Sequence, residues 1–338
     1  MALPEFEIRP SVLSGETADV YFQRTLDILR GEGLNSTVSM EFFPMRPGIL
    51  CGMEEVKALL HKILPEEQVE VWALPEGEPV IAKEVTLRIK ARYAPLGLYE
   101  TAIRGILSSC TGWATAAYEC VKAAGGRPDD GGIPIISFGA HHIHPNVAGN
   151  MDYAAIIGGC VSCTTVMGAK LAGVSPTGAM PHALTLIMGD TTRAVQALEK
   201  HLPPEVPRIA LVGTLRDEAD EAINIGKTLR DRLKGIRLDT LPERGGVTPE
   251  LVKEVRARLD MANFQHVDIW VSGGFTPERI HQFRESNAPI VGLGVGSYIS
   301  SASPNDFTGD IKEVENRPIA RRGRIPGVTE NTRLERIF

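Results

Sequence analysis

The chain has 338 residues, 43% of them hydrophobic, and a formal net charge of −6. It is long enough to bury a large core and to form two domains. It has no run of ~20 apolar residues that would span a bilayer, and its acidic balance argues against a broad nucleic-acid surface. Five cysteines, without an apolar core in the leading MALPEFEIRP, point to free thiols and a reducing cytoplasm.

Residues 1–110 read as a mixed α+β domain. Apolar residues at helical spacing predict a helix over 18–29, with Thr17 as its cap. β-rich runs follow at 35–43, 68–73 and 84–94, separated by turns such as Pro75-Glu76-Gly77. A helical stretch from Leu98 to Ala124 carries the small residues Gly105, Ser109, Gly112 and Ala116 and stops at Gly125-Gly126. A break in that stretch near residue 110 marks the expected domain boundary.

Residues 111–300 alternate strands and helices. Strands are expected at 133–138, 160–163, 175–180, 208–213, 235–240, 268–272 and 290–295. Thr248-Pro249-Glu250 and Thr276-Pro277-Glu278 each supply an N-cap, a proline at the first helical position and an acid in the first turn. Such alternation needs right-handed crossovers and a parallel sheet. Seven strands favour an irregular, incomplete α/β barrel over a doubly wound sheet. The segment 301–338, rich in arginine and without pattern, is expected to pack on the surface as a tail.

The chemistry concentrates between Pro134 and Leu184. A short apolar run ends at Phe138-Gly139, and His141, His142 and His144 follow at once. The run 175–180 ends likewise in Pro181-His182, so four of the eight histidines lie here. Strand ends are where a barrel delivers its active groups. Alternation along a strand would send His141 and His142 to opposite sides, away from a common metal. Cys160-Val161-Ser162-Cys163 has zinc-like spacing, but one CxxC without a second pair is better explained by a short buried strand. Arg237 and Asp239, two residues apart, share one face of a strand; such charges either pair with each other or line a polar site. Ser272-Gly273-Gly274 and Gly294-Val295-Gly296-Ser297 follow consecutive strands, where glycine backbone and helix starts suit a phosphate.

The motifs Phe138-Gly139, His144-Pro145, Ile157-Gly158-Gly159, Gly168-Ala169-Lys170 and Gly178-Ala179-Met180-Pro181-His182 resemble those of nicotinate phosphoribosyltransferases. These are type II phosphoribosyltransferases, together with the quinolinate and nicotinamide enzymes. The resemblance implies an incomplete α/β barrel and a reaction joining nicotinate to phosphoribosyl pyrophosphate, with release of pyrophosphate, in NAD synthesis. It implies a homodimer or larger homo-oligomer in which Tyr21 crosses to stack on the partner's pyridine ring opposite Phe138. Lys170, Thr177, His141 and His142 would then contact substrate, and Ser272, Gly273, Gly274, Gly294, Gly296 and Ser297 would hold the 5-phosphate. Arg237 and Asp239 would serve pyrophosphate and ribose, Asp239 with Mg2+, and His182 would accept a phosphate from ATP.

Two positions depart from the family pattern. His141 stands where an arginine is usual, and an imidazole grips a carboxylate only when protonated. Gly213 stands where an aspartate is usual, which leaves Asp217 or Glu218 to substitute. A base other than nicotinate, or a silent binding homologue, are the alternatives these departures raise. Restoring a carboxylate by Gly213→Asp is expected to help only if the backbone there is not at positive φ.

Overall fold

The computed structural model describes residues 5–64, 69–178 and 180–338. Its strands are β1 (Thr37–Pro44), β2 (Gly48–Ile49), β3 (Glu70–Ala73), β4 (Pro79–Val80), β5 (Leu87–Arg92), β6 (Ile135–Ser137), β7 (Ser162–Cys163), β8 (Arg208–Val212), β9 (Leu233–Leu238), β10 (Asp268–Val271), β11 (Gly292–Val295), β12 (Phe307–Val314), β13 (Arg317–Pro318) and β14 (Glu335–Arg336). They divide between two units. One runs to Ala116 and takes in Lys170–Gly173 and Ala302–Phe338; the other comprises Ala117–Ala169 and Val174–Ser301.

The first unit is built on an antiparallel sheet in the order β13-β12-β1-β5-β3-β14. The helix Met53–Ile63 lays Val56, Leu59 and Leu60 on it, and they bury with Phe42, Leu87, Ile89 and Phe307. The helix expected over 18–29 is Val20–Gly31. Asp19, not Thr17, stands at its start, and instead of capping it accepts from the Thr101 hydroxyl and the Tyr21 hydroxyl, each at 2.9 Å. The predicted strand over 68–73 begins at Glu70, and Gln68 lies outside the described residues. The carboxyl-terminal segment is more than a tail. Phe307–Val314 pairs with β1 from Val38 to Pro44, and Phe307 is buried in the core. Its charged residues hid the strand: Asp310 and Lys312 are buried, with Asp310 paired to Arg321 and Arg324 at 2.9 Å each.

The helix Glu100–Ala123 runs through residue 110 without the expected break. Of its small residues, Gly112 is needed for close approach, since a Cβ there would lie 2.6 Å from the Ser303 carbonyl oxygen. Gly105 faces open space.

The second unit is an incomplete barrel of parallel strands in the order β7-β6-β11-β10-β9-β8. No strand forms over 175–178 or at Met180, and Ala179 lies outside the described residues. Pro176 and Pro181 lack the N–H that a ladder needs, so this segment hangs on single bonds such as Thr177 N to Cys163 O. The helix starts read from sequence are present. Thr248 accepts from Leu251 N and Thr276 from Arg279 N, ahead of the helices Pro249–Met261 and Pro277–Glu285.

The interior of the half-barrel is set by two glycines of β11. A Cβ on Gly292 would fall 2.0 Å from the Trp270 ring, and one on Gly294 would fall 2.8 Å from the Phe138 ring. Two aromatic rings thus lie directly on the β11 backbone. Gly294 is therefore a packing glycine beneath Phe138.

Candidate active site

The carboxyl-terminal rim of β9 carries the central pair. Arg237 and Asp239 do share one face, with Arg237 Nη1 3.7 Å from Asp239 Oδ2. Arg237 also donates through Nη1 to Ser272 Oγ at 3.2 Å and through Nη2 to Met180 O at 3.3 Å. Its guanidinium carbon lies 5.5 Å from the centre of the Phe138 ring, within cation–π range. Burial lowers its pKa and Asp239 opposes that shift, so the guanidinium remains a cation. Its Nε–H is buried without a hydrogen-bond partner among the described residues. An orphaned charged donor is costly, and such an atom fits a site that presents it to a ligand.

His182 begins the short helix His182–Met188. Its Nε2 is 3.5 Å from Asp239 Oδ2 and its Nδ1 is 2.9 Å from Thr214 Oγ1. Both ring nitrogens are therefore engaged, one by a carboxylate and one by a hydroxyl. Sequence reasoning does not single out Thr214; its only signal is its place directly after the anomalous Gly213. Arg237, Asp239, His182 and Thr214 form one chain across the ends of β8 and β9.

Of this chain, Arg237 lines a cavity of about 260 Å³, together with Ile136, Phe138, Thr177, Glu205, Ile209 and Trp270 among others. Thr177 is held there by a 2.9 Å bond from Ser162 Oγ. After β10, Gly273 and Gly274 have φ of +101° and +62°, the left-handed region that glycine adopts at no steric cost. Their N–H groups take no acceptor among the described residues, and Asp239 Oδ1 lies 3.0 Å from where a Gly273 Cβ would be. Ser297 opens the short helix Ser297–Ser300 after Gly296.

The histidines differ from the sequence expectation. Ala140–His142 is a turn of 3-10 helix, and the His141 and His142 rings lie 4.1 Å apart instead of on opposite sides. His142 reaches Gly296, its Nε2 3.3 Å from a Cβ placed there. Burial and the neighbouring His141 lower the His142 pKa. His144 is structural, since its Nδ1 accepts from Asn146 N and caps the helix Pro145–Ile157. Tyr21 is 54% exposed and belongs to the first unit, as does the exposed Lys170. Neither belongs to the unit that contains the rim.

Gly213 has φ +83°, and a Cβ there would lie 2.7 Å from Glu218 Cγ. The corner is already furnished. Glu218 is 3% exposed and accepts from Thr240 Oγ1 at 2.7 Å; Glu221 accepts from Gly213 N at 2.8 Å and Thr191 Oγ1 at 2.6 Å. Of the two acids suggested as substitutes, Asp217 caps the helix Glu218–Leu229, and Glu218 is the one beside Gly213. Cys160 and Cys163 are buried and desolvation raises both thiol pKa values, Cys163 to about 12. No group of three metal-ligating side chains occurs among the described residues. Among the described residues no helix is long and apolar enough to cross a membrane.

An incomplete parallel barrel, joined in sequence to an antiparallel α+β unit, is the form of the type II phosphoribosyltransferase class. The chain belongs to the quinolinate phosphoribosyl transferase family: residues 19–111 match its N-terminal domain and 113–309 its C-terminal domain. It is similar to the crystal structure of nicotinate-nucleotide pyrophosphorylase from Pyrococcus furiosus, with 38% identity and a TM-score of 0.84 over 97% of this chain and 82% of that one. Human nicotinic acid phosphoribosyltransferase shares the fold, with 16% identity and a TM-score of 0.70 over 92% of this chain and 77% of that one. Nicotinate phosphoribosyltransferase pncB2 of Mycobacterium tuberculosis is 28% identical over 233 residues, which is 68% of this chain and 48% of that protein. The chain thus spans about half the length of the curated relatives it matches.

Two outcomes follow from the geometry. Gly213→Asp should destabilise the protein by about 1–3 kcal/mol in denaturant unfolding, through positive φ and collision with Glu218, and turnover should not rise. His142 should titrate by NMR below its ordinary value. The unfolded chain then binds more protons between the folded pKa and about 6.5. Stability should accordingly fall as pH drops through that window, and less so in His142→Gln.

Proposed function

We propose that this protein transfers the ribose 5-phosphate of phosphoribosyl pyrophosphate to nicotinate, forming nicotinate mononucleotide and pyrophosphate in NAD synthesis. The observation that supports the choice of base is the composition of the 260 Å³ cavity. Among the described residues that line it, Arg237 is the one cation, with an unused Nε–H, Glu205 is the one acid, and Phe138 and Trp270 supply aromatic faces. A flat heteroaromatic ring whose one carboxylate pairs with Arg237 suits such a lining; a second carboxylate would meet no second cation and would add repulsion from Glu205.

In this reading the pyridine nitrogen attacks the anomeric carbon as the bond to pyrophosphate breaks, and the leaving group takes the electron pair. Asp239 supports the ribose and its developing positive charge. Gly273 and Gly274 receive the 5-phosphate on their N–H groups, with Gly296 and Ser297 alongside. Positioning and charge complementarity then supply most of the rate. Mg2+ suits the donor set as an ion carried by the substrate's phosphates with one carboxylate, that of Asp239; it would neutralise the departing pyrophosphate. ATP is proposed as a co-substrate for His182, whose nitrogen would attack the terminal phosphate and release ADP. The active form is proposed as a homodimer, with exposed Tyr21 stacking on the base bound by its partner.

The test is turnover with phosphoribosyl pyrophosphate and a panel of nicotinate, nicotinamide and quinolinate, with and without ATP. Nicotinate should be the preferred acceptor, and ATP should raise its kcat/KM in the native protein but not in His182→Ala. Preference for quinolinate with release of carbon dioxide would replace this assignment.

A further inference from the structure

The second unit contains nearly the same six-residue phrase twice. Gly245-Gly246-Val247-Thr248-Pro249-Glu250 follows β9, and Gly273-Gly274-Phe275-Thr276-Pro277-Glu278 follows β10. The two phrases fold alike. Gly245 and Gly246 have φ of +94° and +71°, close to the +101° and +62° of Gly273 and Gly274. In each, the threonine side chain accepts from the N–H three residues on. β9 and β10 are hydrogen-bonded neighbours, so the twin turns stand side by side on the rim.

They differ in what occupies that third position. The first turn has Leu251; the second has Arg279. Arg279 folds back over its own turn, donating through Nη1 to Gly273 O at 2.6 Å and Gly274 O at 2.9 Å. Its Nη2 donates to Val247 O in the other turn at 2.8 Å. The guanidinium rests on the Phe275 ring, 4.7 Å from its centre, and Phe275 is itself buried against Phe283. One planar, permanently charged group therefore takes three carbonyls at fixed angles, which an ammonium on a flexible stem does poorly. The turns differ in their N–H groups too. Those of Gly245 and Gly246 donate to the Pro242 and Leu241 carbonyls of the preceding turn, whereas those of Gly273 and Gly274 take no acceptor among the described residues; Arg279 holds the Gly273 and Gly274 carbonyls on the other side, and a Cβ on Gly273 would lie 3.0 Å from Asp239 Oδ1.

We propose that Arg279 is the positioning residue of the 5-phosphate site: it clamps the twin turns so that the Gly273 and Gly274 N–H groups are preset at a fixed separation from Asp239. This rests on the phosphoribosyl transfer reading above. Arg279 touches neither substrate nor reacting atoms. Its contribution is that the turn does not have to be ordered when phosphate arrives, so it appears in phosphate affinity before it appears in the chemical step.

The experiment compares the native protein with Arg279→Met, Arg279→Lys and a control, Arg256→Met. Arg256 also bonds two carbonyls, of Phe264 and Val267, but at the amino end of β10. Two probes are used as competitive inhibitors, ribose 5-phosphate for the turn and pyrophosphate for the leaving-group side. Arg279→Met should raise the ribose 5-phosphate Ki and the KM for phosphoribosyl pyrophosphate about ten- to a hundredfold, the scale of charge-assisted contacts. The pyrophosphate Ki and the KM for the base should stay within about twofold, given additivity at separate sites. Arg279→Lys should recover part of the loss, and it carries the test if the methionine variant does not fold. Arg256→Met should lower Tm without moving either Ki. A folded Arg279 variant with native Ki and KM overturns the clamp while leaving the transfer reading intact. A native protein that neither binds ribose 5-phosphate nor turns over phosphoribosyl pyrophosphate overturns both.

Discussion

The rim works only because Gly294 has no side chain. Phe138 lies directly on its backbone, and any Cβ there would sit 2.8 Å from the ring. The ring then forms the floor on which the Arg237 guanidinium rests. Arg237 in turn stands beside Asp239, Asp239 beside His182, and His182 against Thr214. Remove the space at Gly294 and the first link of this chain is displaced. The strand sequence Gly292-Leu293-Gly294 is thus a packing device whose consequence is electrostatic: it lets an apolar interior hold one cation at a defined height.

Charge at the rim is arranged so that each group constrains the next. A buried guanidinium with a single carboxylate nearby would be a poor source of stability. Here it is also tied to Ser272 and to the carbonyl of Met180, the residue two before His182. The loop that delivers the histidine is therefore fixed by the arginine that fixes the carboxylate. At the neighbouring corner, buried Glu218 and Glu221 fasten β8 to β9 through Gly213 and Thr240. Glycine at 213 reads as a defect in the sequence and as a necessity in the fold, since the left-handed turn and the Glu218 side chain together leave no room for anything larger.

Legible in the sequence is whatever local chemistry dictates. Thr248-Pro249-Glu250 and Thr276-Pro277-Glu278 start helices because cap, proline and acid act within one turn, with no help from the rest of the chain. Arg237 and Asp239 share a face because strand periodicity is local. Non-local pairing is not legible in this way. Phe307–Val314 carries buried Asp310 and Lys312, and only their partners, Arg321 and Arg324 for Asp310 and the Ile325 carbonyl for Lys312, make them acceptable in a strand. The run 175–180 resembles a strand by composition but has prolines where a ladder needs donors. His141 and His142 read as a strand end, whereas both lie in a turn of 3-10 helix that brings their rings together. The packing role of Gly294 is not legible either, because sequence shows that a side chain is missing but does not show that the Phe138 ring fills its place.

The central claim is that this rim binds the phosphorylated ribose, and the most direct measurement is a crystal structure of the protein with phosphoribosyl pyrophosphate and no base. The 5-phosphate should accept from the N–H groups of Gly273 and Gly274, with the ribose hydroxyls at Asp239. A phosphate bound away from that turn, with Asp239 free of the ribose, would contradict the account.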